Sequence, residues 1–168
     1  RSLSREEIAG VMAHELAHMW FGNLVTMPWW NDIWLNEAFA TWMASKTVGE
    51  VFPEYQSELH QLESVQRAMG QDSLTSARKI RQPIESDHDI RNAFDSITYR
   101  KGGGVLAMFE RWIGEEAFRK GMRRYMRKHA WGNATAEDLL EALGEASGKD
   151  VATPFSTFLT QPGLPFVK

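Results

Sequence analysis

Residues Val11 to Asn23, "VMAHELAHMWFGN", set two imidazoles and a carboxylate into an otherwise apolar run that follows a strong helix start. Ser4 reads as the N-cap, Glu7 three residues on completes a capping box, and Leu3 and Ile8 are spaced for a hydrophobic staple, so a helix is predicted from Ser4 to about Phe21. On that helix residues four apart differ by about 40° and stand one turn above each other. His14 and His18 therefore aim at one point, with Glu15 next round the helix on the side toward His18. A run of this kind looks built for burial, and a buried carboxylate costs several kcal/mol unless something positive answers it. Two satisfied core histidines are the plain alternative. The glutamate directly after the first histidine turns the reading toward one zinc ion held by His14 and His18, because H-E-x-x-H supplies two ligands and a base beside them.

Two imidazoles leave tetrahedral zinc short of a ligand. The sequence has no cysteine, which rules out disulfides and thiolate ligands, so the missing group is an imidazole or a carboxylate. Six residues past His18 stands Leu24, which cannot serve, and the next candidate is Glu37 in "WLNEAFATWM". It lies among Ala40, Thr41 and Ala44, small residues that let a returning helix come close. Asp32 is expected to cap that second helix, and Asn36 to pack or to bond a ligating histidine.

The remaining pattern is helical. After the extended connection Leu24 to Asn31, helices are expected over Asp32 to Val48 and from Pro53 to near Gly70. Residues Gln71 to Asp95 read as a long irregular loop of the functional kind. Helical pattern resumes from Ile97 to Ile113, interrupted at Gly102-Gly103-Gly104, then from Glu115 to His129. It returns from Thr135, boxed with Asp138, to Gly148, and from Thr153-Pro154 to the "QPGLP" break. The expected fold class is all-α, a bundle of about seven helices with little or no sheet. With 168 residues and 43% hydrophobic content, one domain with a real core is expected. No run reaches the ~20 apolar residues of a membrane-spanning helix.

"VMAHELAHMWFGNLVTMPWWNDIWLNEAFATWMA" resembles the zinc-binding segment of the aminopeptidase-N-like metallopeptidases, gluzincins that include leukotriene hydrolase. "FDSITYRKGGGVLAMFE" is similar to that family's segment with a catalytic tyrosine followed by Lys-Gly, and "NATAEDLLEALGEASGKDV" and "FLTQPGLPFV" look like its downstream helices. The resemblance covers essentially the whole chain. It implies the helical part of a thermolysin-like catalytic domain over residues 1–160, with 161–168 an exit segment toward a following domain. It also implies His14, His18 and Glu37 as zinc ligands, Glu15 as general base, Tyr99 as transition-state stabiliser and a peptide as substrate. By spacing alone Tyr99 does not stand apart from Tyr55 or Tyr125, but it ends the irregular stretch and precedes three glycines. A protonated phenol there can donate to a developing oxyanion.

The family's Gly-x-Met-Glu-Asn segment, which binds a free substrate amino terminus, has no match in this sequence. The resemblance thus implies that this segment, its sheet and the N-terminal domain lie outside the chain. Zinc binding with weak or no peptidase activity is expected of the piece by itself. A zinc-stabilised helical interaction module without catalysis is the alternative, and Glu15, which structural zinc does not need, speaks against it. The helix "EEAFRKGMRRYMRKHAW" puts Arg119, Lys120, Arg123, Arg124, Arg127 and Lys128 opposite an apolar stripe of Phe118, Met122, Tyr125, Met126 and His129. A net charge of −3 gives no bulk reason for nucleic acid, so those cations read as a solvated face. His60 and His129 are expected at the surface or an edge, and Asp87-His88-Asp89 as loop polarity.

Overall fold

The computed structural model describes residues 3–163. Among them are eight helices: α1 (Arg5–Ala17), α2 (Trp34–Val51), α3 (Ser57–Asp72), α4 (Asp87–Ala93), α5 (Gly102–Ile113), α6 (Glu115–Lys128), α7 (Ala136–Ser147) and α8 (Ala152–Thr160). The only sheet among the described residues pairs β1 (Val25–Thr26) with β2 (Gly132–Asn133) in parallel, two residues each. None of these helices is long and apolar enough to cross a membrane. The exit segment expected at 161–168 falls, from residue 164 on, outside the described residues.

α2 is the centre of the bundle. Trp34, Ala38, Phe39 and Ala40 have no exposed surface, and the helix is buried nearly all round, as its mixed large and small faces imply. Phe39 stacks on Phe21 with ring centroids 4.8 Å apart, and Trp34 meets Phe155 of α8 at 5.7 Å. Burying an aromatic of this size stabilises the fold by roughly 1.5–3 kcal/mol, so this column fixes where α2 sits. α2 packs against α1 on one side and α5 on another, while α6 and α7 form a second extensive helix pair. Gly121 makes that pair possible, because a side chain there would meet the Ala142 carbonyl at 3.0 Å.

Helix starts follow their caps. Ser4 Oγ accepts the Glu7 N–H at 3.1 Å while the Glu7 carboxylate accepts the Ser4 N–H at 2.7 Å. Thr135 and Asp138 form the same reciprocal pair at α7. The expected staple does not close over a core, since Leu3 and Ile8 are both exposed.

Several boundaries differ from the sequence pattern. α1 stops at Ala17, and His18 to Trp20 turn toward Gly22, whose φ of +130° suits glycine. α2 begins at Trp34 because Trp30–Asp32 form a 3-10 turn; Asp32 is no cap but fully buried, taking Trp34 Nε1–H and the Arg81 guanidinium. Pro53–Tyr55 make a separate 3-10 turn, and Gln56 at φ +47° breaks it from α3. The stretch read as irregular contains α4, started by a Ser86–Asp89 capping box. The triple glycine does not interrupt helix: Ile97–Lys101 form a single π-helical turn that runs directly into α5.

The largest departure concerns α1. Of its residues only Ala17 is buried, whereas Val11, Met12 and Leu16 are each more than half exposed. An apolar run states that a surface favours cover; it does not state that this chain supplies it.

Candidate metal centre

α1 and α2 run side by side and bring three ligand atoms together. His14 Nε2 and His18 Nε2 are 3.1 Å apart, and Glu37 Oε2 lies 3.2 Å from the first and 3.4 Å from the second. A tetrahedral zinc with bonds of about 2.0–2.1 Å needs its ligand atoms about 3.3 Å apart, so this nearly equilateral triangle has the dimensions such an ion requires. No other group of three or more metal-ligating side chains converges among the described residues.

Each imidazole is held by its other nitrogen. His18 Nδ1 is 2.9 Å from the Phe21 carbonyl, which can only accept, so Nδ1 carries the proton and Nε2 offers its lone pair inward. His14 Nδ1 faces Thr41 Oγ1 at 3.5 Å. The sequence marks Thr41 only as a small packing residue, although it follows Glu37 by one helical turn and so shares its face. Asn36 does not bond a histidine; its amide donates to Met27 Sδ at 3.0 Å.

Glu37 is mostly buried, and burial alone would lift its carboxyl. A hydrogen bond from His14, the neighbouring imidazoles and the Tyr99 phenol outweigh that and hold it below the usual carboxylate range. An anion is thereby kept at the apex of the triangle. Glu15 lies outside the triangle and is exposed, so the sequence argument from its burial does not hold.

Tyr99 is brought to the same place from a segment distant in sequence. Its ring centroid is 5.9 Å from that of His14, and its phenol lies near enough to the Glu37 carboxylate to feel its charge. Burial first, then the charges of Glu37 and Glu15, push the phenol well above the ordinary tyrosine range. It is a donor at every physiological pH. Tyr55 stacks on Phe52, and Tyr125 is buried between α6 and α7, so the fold separates the three tyrosines that spacing could not.

The approach depends on Gly102. A Cβ there would stand 2.7 Å from Ala38 Cβ, inside van der Waals contact, and only glycine lets the turn carrying Tyr99 press against the helix carrying Glu37. The other polar clusters are elsewhere. His60 pairs with Glu6 at 3.1 Å, and His129 is largely covered beside Tyr125, 3.7 Å from Asp138. Asp89 is spent on the α4 cap. On α6, Arg119, Arg124 and Lys128 pair with Glu116, Glu145 and Glu141.

Comparison with known proteins bears on the same residues. Residues 1–158 match the Peptidase family M1 domain. The chain is 45% identical over 166 residues to the alanine/arginine aminopeptidase of Saccharomyces cerevisiae and 44% identical over 168 residues to aminopeptidase N of Lactococcus lactis, covering 98% of itself in both cases. It is 42% identical over 161 residues, 95% of its length, to a probable aminopeptidase 1 of Sulfurisphaera tokodaii. These matches take up 19%, 20% and 20% of the relatives, so the chain spans about a fifth of their length. A match running through α1, α2 and the Tyr99 turn alike, the three elements that build the triangle and its phenol, makes this chain a member of peptidase family M1.

Proposed function

We propose that the chain carries the zinc-binding and proton-transfer part of a catalytic domain that hydrolyses peptide bonds and releases residues from the amino end of its substrates. The observation that carries this reading is the triangle of His14, His18 and Glu37, with edges of 3.1 to 3.4 Å. Those three side chains would hold one zinc ion. When bound, zinc supplies Lewis acidity, polarising a carbonyl and lowering the pKa of water toward ~7.

The other steps belong to the chain's own groups. Glu15, exposed beside the triangle, takes the proton of the attacking water and passes it to the leaving amine. Tyr99, kept protonated, donates to the oxyanion that develops on the substrate carbonyl. The Phe21 carbonyl and Thr41 hold the imidazoles in orientation. Preference for an amino terminus is drawn from the relatives, whose names describe aminopeptidases; no residue of this chain supplies it.

The test is metal content and arylamide hydrolysis of the full-length protein and of this chain alone. One zinc per chain is expected in both, lost in Glu37→Ala, with rapid hydrolysis only in the full-length protein. Glu15→Gln is expected to keep its zinc and lose turnover by at least about 100-fold. A zinc-loaded Glu15→Gln protein with undiminished turnover refutes the base assignment. A full-length protein with zinc and no peptidase activity favours the non-catalytic module.

A further inference from the structure

The Tyr99 turn is held by a partly buried ion pair that touches neither the triangle nor the phenol. Arg78, in the segment after α3, is only 15% exposed at its side chain. Its Nε donates to Asp95 Oδ2 at 2.9 Å and its Nη2 to Asp95 Oδ1. The same Nη2 reaches Thr98 Oγ1 at 2.6 Å and the Ala93 carbonyl at 3.0 Å, and Nη1 reaches the Lys79 carbonyl at 2.8 Å. Asp95 in turn accepts the N–H groups of Ile97 at 2.9 Å and Thr98 at 3.2 Å, and its own carbonyl accepts the N–H of Tyr99 at 3.2 Å.

We propose that the Arg78–Asp95 pair is a positioning device for Tyr99, fixing the entrance of its π turn so that the phenol faces the His14, His18 and Glu37 triangle. A π turn leaves its first backbone N–H groups without partners in the turn itself, and a one-turn π-helix is intrinsically poor. Asp95 satisfies the amides of the first two residues of that turn, and Arg78 orients Asp95 through a bidentate fork that a lysine cannot reproduce. The pair acts just before Tyr99. Just after it, Lys101 is tied to buried Asp72 at 2.8 Å, and Gly102 rests on Ala38. Held on both sides, the residue between has little freedom to swing.

The proposal rests on the role given to Tyr99 above, and a double-mutant cycle in the full-length protein separates the two. Arg78→Met is expected to lower kcat about 10- to 100-fold, since an ångström of misplacement suffices for that, with KM within about twofold and zinc content unchanged. Arg78→Lys recovers only part of the loss. In a Tyr99→Phe background Arg78→Met is expected to change kcat by less than about twofold, because its effect runs through the phenol. Hydrogen exchange supplies a readout without catalysis. The amides of 97–99 exchange faster in Arg78→Met, while those of α1 and α2 do not. An equal kcat loss in both backgrounds overturns the proposal, as does unchanged protection at 97–99. If Tyr99→Phe alone leaves kcat intact, the role of Tyr99 fails, and the exchange result still decides whether Arg78 holds the turn.

Discussion

Replacing Gly102 by alanine tests the tightest glycine contact among the described residues. Carbon atoms rest about 3.5–4.0 Å apart, and the added methyl would stand 2.7 Å from Ala38 Cβ, about 1 Å too near. Both atoms are fixed by backbone, so no rotamer change relieves the overlap and the Tyr99 turn and α2 must separate. Overpacking of this kind costs about 1–3 kcal/mol. Alanine also gains up to about 1 kcal/mol over glycine in a helix, which partly masks the clash. Gly103→Ala removes that ambiguity. Its Cβ would meet the Ala38 carbonyl oxygen and Thr41 Cγ2 at 3.6 Å, ordinary contact, so it keeps the gain without the penalty. The two variants should therefore differ by about 1–3 kcal/mol, or very roughly 3–10 °C in melting temperature for a chain of this size. Thermal and denaturant unfolding followed by circular dichroism read the difference directly. Equal midpoints, or Gly102→Ala above Gly103→Ala, would refute the claim that this contact sets the distance between Tyr99 and Glu37.

Two further outcomes follow from buried and capping charges. Arg81→Met leaves Asp32 buried without its cation, although burial already pushes that carboxyl above its ordinary range; a loss of about 2–4 kcal/mol is expected, partly restored in Asp32→Asn/Arg81→Met. A double variant no more stable than Arg81→Met in urea titration contradicts this. At α7, burial raises the Asp138 carboxyl, but the Thr135 N–H and hydroxyl, with His129 and Lys128, outweigh it and lower it. Its ionised form therefore contributes stability above the ordinary carboxylate pKa of about 3.9, lost as pH falls through the lower folded value. Asp138→Asn should cost about 1 kcal/mol or less near pH 7 and progressively less below pH ~4. A cost that stays constant from pH 7 to 3 would show that the charge plays no part.

Much of this molecule was legible from local chemistry. Caps at Ser4 and Thr135 announce α1 and α7 because a side-chain oxygen three residues before a carboxylate has one economical use. The box at Ser86 is of the same kind, yet α4 was missed, since seven residues with Ile90 and Ala93 as their main apolar positions show no period. His14 and His18 are local, and Glu37 follows from needing a third ligand on a helix of small residues. Tyr99 is different. Its place depends on a π turn, on Gly102 meeting Ala38 and on Arg78 gripping Asp95, all contacts between segments distant in sequence. Burial of α1 was misjudged for a related reason: composition records an appetite for cover and is silent about who provides it.

The π turn at Ile97–Lys101 has a bearing on tolerance to length change. A π-helix carries one more residue per hydrogen-bonded loop than an α-helix, so deleting any one residue there would let the segment relax into regular α-helix. Residues before the turn would keep about their orientation to α5, but a deletion between Tyr99 and Gly102 would move Tyr99 round the helix by one position, about 100°, while Gly102 kept its seat on Ala38. The phenol would swing off the histidines with no core residue altered. The length of the turn is thus more tightly constrained than the identity of its exposed residue, Arg100.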